Sequence, residues 1–93
     1  MTTADDIARY RENYQDEIDG AAMYRALAEM EPEPALSKLY LRLADTEERH
    51  AAFWRDKLVE AGADPGAPRV SRRAKILIWL ARRLGTGVLV QTL

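Results

Sequence analysis

The sequence predicts an all-α protein: one long antiparallel helical hairpin followed by a third, basic helix. Apolar residues recur every three or four positions through two stretches, Ile7 to Ala28 and Leu36 to Leu58. That spacing places side chains on one face of an α-helix. A single rigid break, Glu31-Pro32-Glu33-Pro34, separates the two stretches. Hydrophobic residues make up 47% of the chain and charged residues 31%, a balance that suits a folded helical domain and argues against disorder.

Taken in order, Thr3-Ala4-Asp5-Asp6 resembles a capping box with Thr3 as N-cap and acids in the first turn. Helix one then runs to Met30 with the stripe Ile7, Tyr10, Tyr14, Glu17, Ala21, Tyr24 and Ala28. Only Gly20 interrupts it, at about 1 kcal/mol relative to Ala. Pro34 is placed to be the first residue of helix two, which reaches about Ala61 and stops at Gly62. At about 1.5 Å per residue both helices span roughly 40 Å, so they can pair along their length. Residues 1–65 thus form one unit.

Residues 66–93 form a second segment. Ala63-Asp64-Pro65-Gly66-Ala67-Pro68 reads as a linker, and Ser71 caps a third helix whose apolar side is Ile76, Leu77, Leu80, Ala81 and Leu84. Gly85-Thr86-Gly87 ends that helix. The closing Val88-Leu89-Val90-Gln91-Thr92-Leu93 is apolar without a stop signal, and is expected to continue into a longer protein or to dock on a partner.

Several functions are excluded or weakened at this level. Ninety-three residues make one small domain. Without cysteine there is no disulfide, thiolate nucleophile or Cys-ligated zinc. The start Met-Thr-Thr-Ala-Asp-Asp has no signal-peptide character, and the longest apolar run, Ile76 to Ala81, falls far short of the ~18 residues of a membrane span. A cytoplasmic location is expected, with the cytoplasmic face of a membrane as a variant of it. Charge is unevenly spread. Residues 1–65 hold 15 acidic and 8 basic residues, a net of −7, whereas residues 66–93 hold 6 basic and none acidic, a net of +6. Segments of opposite sign are expected to have different neighbours.

The stripe of helix two carries the chemistry. It reads Leu36, Tyr40, Leu43, Glu47, His50, Trp54 and Leu58, so a carboxylate and the sole imidazole of the chain stand where apolar residues belong. Such groups directed at a core need a partner or a metal. Glu17 breaks the stripe of helix one in the same way. It lies 15 residues before Pro32 and Glu47 lies 15 after it, so an antiparallel hairpin brings them to one level. Carboxylates with a neutral imidazole suit iron, manganese or zinc, and Glu-x-x-His facing inward is half of the ligand pattern of di-iron carboxylate bundles. The competing reading is a buried Glu–His pair satisfied by tyrosine hydroxyls. Two helices supply only half of a two-metal site, so Glu17, Glu47 and His50 from each of two chains are expected to complete it about a two-fold axis.

The run Asp16-Glu17-Ile18-Asp19-Gly20-Ala21-Ala22-Met23-Tyr24-Arg25-Ala26-Leu27-Ala28, followed by Leu43-Ala44-Asp45-Thr46-Glu47-Glu48-Arg49-His50-Ala51, resembles the rubrerythrin/ferritin-like superfamily. Within it the chain is most similar to the N-terminal domain of bacterial membrane-bound ferritins, which is fused to a vacuolar-iron-transporter-type membrane domain. The similarity extends through Ser71-Arg72-Arg73-Ala74. It implies a four-helix ferritin-like bundle formed by dimerisation or higher assembly, and a di-iron centre held by Glu17, Glu47 and His50, with Mn or Zn as alternatives. It further implies Fe(II) binding, oxidation by O₂ or peroxide as an available activity, and iron storage, detoxification or export beside a membrane transporter domain. The family pattern has a second Glu and Glu-x-x-His pair later in the chain, which is absent here. A non-enzymatic dimerisation or metal-sensing module of a membrane metal transporter is the alternative.

Other residues are read more plainly. Tyr14, Tyr24 and Tyr40 are core residues with one polar end or support the ligands, and Trp54 is packing. Asp45 and Arg49 are spaced as an exposed helix pair. Glu48 is off the stripe, either solvated or an accessory carboxylate. Glu12, Asp16 and Asp19 are solvated acids or an outer cation-attracting surface. The basic helix either packs on the bundle with its charges in water or lies on an anionic membrane surface. No recognition motif supports nucleic-acid binding.

Overall fold

The computed structural model describes residues 2–93, and among them every regular element is helical: α1 (Ala4–Met30), α2 (Pro34–Glu60), α3 (Arg72–Leu84) and a single turn, α4 (Gly87–Val90). The molecule measures 47 × 24 × 20 Å, the long axis being that of the α1–α2 hairpin. No helix among the described residues is long and apolar enough to cross a membrane.

The hairpin is closed by local chemistry at each end. Thr3 Oγ1 accepts from the Asp6 N–H at 3.1 Å, while the Asp6 carboxylate accepts from the Thr3 N–H at 3.0 Å. These bonds satisfy donors the first turn would otherwise leave open, and they hold the Asp6 carboxyl below the usual carboxylate range. At the turn, Glu33 takes the N-cap role, its carboxylate accepting from the Ala35 and Leu36 N–H groups ahead of Pro34. The Ser37 hydroxyl donates to the Ala28 carbonyl at 2.7 Å and fixes the two helices against each other. α2 ends where Gly62 takes φ 77°, a conformation that favours glycine, letting the Ala63 N–H reach back to the Leu58 carbonyl at 2.9 Å.

The core has two parts. Towards the open end, Tyr14, Ala51 and Leu58 are buried with Ile7, Tyr10, Ile18 and Trp54 around them. Towards the turn, Met23, Ala26 and Leu27 of α1 pack against Ala74 and Ala81 of α3 and Leu89 of α4. Leu27, Leu58 and Leu89 are fully buried, so cutting any of them to Ala costs about 2–5 kcal/mol. Burial of Leu89 shows that part of the apolar closing segment docks on its own chain.

α3 differs from the sequence expectation in which side it buries. Ala74, Leu77, Ile78 and Ala81 face the core, whereas Ile76 and Leu84 are exposed. The reason is its anchor. Asp19 accepts from the Ser71 N–H at 2.8 Å and the Ser71 hydroxyl at 2.6 Å, and Gln15 donates both to Asp19 and to the Arg69 carbonyl. That rotation turns small alanines towards α1, which allows a close approach. Asp19 is therefore a structural clamp, not a solvated acid.

Candidate metal centre

Glu17 reaches the site from the middle of α1, and Glu47 and His50 from the middle of α2. Fifteen residues on either side of the Pro32 break place them at one height, as the antiparallel pairing requires. One ligand atom from each of the three lies within 4.8 Å of the others. His50 Nδ1 stands 3.5 Å from Glu17 Oε2, within ion-pair range but long for a strong hydrogen bond. Sequence spacing thus identified three residues that the fold brings together.

Their setting is more open than the stripe implied. The Glu17 side chain is 22% exposed and that of His50 56%. Two helices cannot cover both sides of their own seam, and α3 packs chiefly on α1, which leaves His50 exposed among the described residues. On the His50 side of α2 lie Leu36, Leu39, Leu43 and Phe53, spaced with His50 within one arc of the helix, with Leu39 and Phe53 exposed.

The electrostatics of the cluster are set by two carboxylates crowded together. Glu47 is pushed up to about 7, first by burial and then by hydrogen bonding to, and the charge of, the Glu17 carboxylate. No Lys or Arg among the described residues forms an ion pair with either group; the only cation to hand is His50 when protonated. Space is kept for the second carboxylate. A Cβ built on Gly20 would stand 3.1 Å from Glu47 Oε2, so the helical glycine of α1 is a recess occupied by that carboxylate. Carboxylate oxygens and an imidazole nitrogen converging in such a recess fit iron, manganese or zinc. Gly20, which the sequence flagged only as a helix defect, is where the Glu47 carboxylate comes closest to the α1 backbone.

Residues close by have other duties. Glu48 is exposed and ion-paired with Arg25, so it is no accessory ligand of this cluster. Arg25 also reaches Asp45 at 3.6 Å, while Arg49 bonds Thr46 at 3.1 Å, so the expected Asp45–Arg49 pair is not formed. Tyr24 stacks on Tyr40 with ring centroids 6.3 Å apart, and Trp54 packs on Tyr10 at 5.7 Å; Tyr14 is buried. These aromatics wall the seam above and below the cluster.

No family model, curated protein or solved structure matches this chain.

Proposed function

We propose that the chain is a ferritin-like metal-binding module in which Glu17, Glu47 and His50 form half of a di-iron centre, the other half coming from the same residues of a second copy. The observation that carries this reading is the convergence of three donors within 4.8 Å where Glu17 and Glu47 meet no Lys or Arg, leaving His50 alone beside them. The half-exposed His50 and the neighbouring Leu39 and Phe53 support a second copy docking on this face, since a symmetric interface would bury the apolar pair and double every ligand.

When bound, paired iron supplies O₂ or peroxide reduction coupled to ferrous oxidation. The chain's own part is to gather and neutralise. Glu47 gives up the proton it holds near neutral pH, Glu17 offers a carboxylate beside it, and His50 presents its imidazole from the next turn of α2. Gly20 leaves the space that the Glu47 carboxylate occupies. Carriage of iron to storage, detoxification or export beside a membrane transporter would follow from such binding. A module that binds a metal without turnover, serving dimerisation or sensing, is favoured by the exposure of His50, which leaves the site open to water.

An anaerobic Fe(II) titration, followed by admission of O₂, tests the reading. Saturation at one iron per chain with a near-ultraviolet ferric absorption supports a shared oxidising centre. Saturation without oxidation supports the binding module. No uptake overturns both.

A further inference from the structure

Among the described residues nothing covers the outward side of α3. With Ala74 and Ala81 turned to α1, Ile76 and Trp79 fall on the opposite arc of the helix. They are 51% and 54% exposed, and Leu84 at the end of the helix is 73% exposed. Arg72, Lys75 and Arg83 interleave with them, all exposed, and the Arg83 guanidinium sits 4.7 Å over the Trp79 ring. Among the described residues only Arg82 of the five α3 cations is paired with a carboxylate, Glu29 at 3.2 Å. No acidic residue occurs from 66 to 93.

We propose that this face of α3 docks on an anionic lipid bilayer, with Ile76 and Trp79 at the acyl boundary and Arg72, Lys75 and Arg83 among the phosphates. Charge decides the occupant. In a dry protein interface each interleaved cation would need its own carboxylate at a fixed position, or its desolvation would go uncompensated. A headgroup layer brings mobile anions to every cation, and Arg and Lys stems can lie along apolar surface while their heads stay wet. Tryptophan suits the same boundary, with an apolar body and one polar edge. The hairpin, net −7, is repelled by the surface that attracts the +6 segment, which orients the molecule with α3 towards the lipid. The inference does not depend on metal binding.

The test uses the full chain carrying Trp54→Phe, so that Trp79 is the one indole, mixed with vesicles of phosphatidylcholine alone or with an equal part of phosphatidylglycerol. Expected are co-sedimentation about tenfold or more stronger with the anionic vesicles, loss of that preference at high salt, and a blue shift of Trp79 emission with quenching by ring-proximal brominated lipid chains. Arg72→Gln with Arg83→Gln should abolish the preference while circular dichroism stays helical. Equal binding to neutral vesicles, or no binding, overturns the proposal. So does a Trp79 blue shift that grows with protein concentration without lipid, which would make a second copy the occupant. Should the double variant unfold, the brominated-lipid quenching of the parent protein decides alone.

Discussion

Glu47 and Glu48 are neighbours on α2, yet they sit in opposite electrostatic settings. Glu48 points to one side of the hairpin seam, where Arg25 of α1 crosses to it and also reaches Asp45. Glu47 points to the other side, where it meets Glu17 and His50 and, among the described residues, pairs with no guanidinium. The Arg25 side is a finished surface cluster whose charges answer one another. On the Glu47 side burial and a second carboxylate disfavour charge, and Glu47 is pushed up to about 7. Carboxylates alone therefore say little. A site is marked by carboxylates that the fold crowds together without a cation.

The sharpest way to break this contrast is to remove one carboxylate from each side. Glu47→Ala and His50→Ala are expected to weaken Fe(II) binding by more than about a hundredfold in calorimetric titration, because each deletes a donor. Glu48→Gln should leave it unchanged. Equal losses from Glu47→Ala and Glu48→Gln would make the site diffuse and the contrast false.

Gly20→Ala probes the recess rather than the donors. Ala gains up to about 1 kcal/mol of helix propensity over Gly, so thermal unfolding of the metal-free variant should rise. The added Cβ displaces the Glu47 carboxylate, which is the flexible end of the close contact, and metal affinity should fall about tenfold. A variant that is more stable and binds metal as well as its parent would show that the recess does not position Glu47.

Proton linkage gives a smaller, signed effect. Glu47 has a folded-state pKa raised from 4.5 to about 7, so its contribution to stability is fully present below about 4.5 and is lost as pH rises through about 7. Metal-free protein should therefore lose melting temperature between pH 5 and pH 8 by this route, and Glu47→Gln should remove that part of the dependence. Metal affinity should rise over the same interval as the competing proton leaves. A flat profile in both proteins would mean that Glu47 is ionised throughout.

On the finished side the expected change is least. Arg25→Gln removes exposed ion pairs, which contribute about 0–1 kcal/mol, and should leave metal titration untouched. A large loss of metal binding there would mean that the two sides of the seam are coupled.

Much of this was written in the chain. The capping box at Thr3, the Pro34 start and the Gly62 stop are local instructions, since caps and φ preferences act within a few residues. So is the height match of Glu17 and Glu47, because two helices of equal rise folded at one break must align residues equidistant from it. Periodicity also placed Glu17, Glu47 and His50 on the seam side of their helices. What lay beyond it were choices between surfaces. Which side of α3 is buried depended on Asp19 seizing Ser71 from 52 residues away, and a helix with apolar residues around much of its girth leaves that rotation open. Arg25 taking Glu48 and Asp45 in place of Arg49 was decided by reach across the seam, which spacing along one helix cannot express. The use of Gly20 was decided the same way, for a glycine in a helix is only a cost until another helix places a carboxylate where its Cβ would be. Local sequence thus determined the elements and their register, because those depend on neighbours in the chain. Tertiary structure decided which charges were answered by a guanidinium and which were crowded against one another, because that depends on side chains meeting across helices.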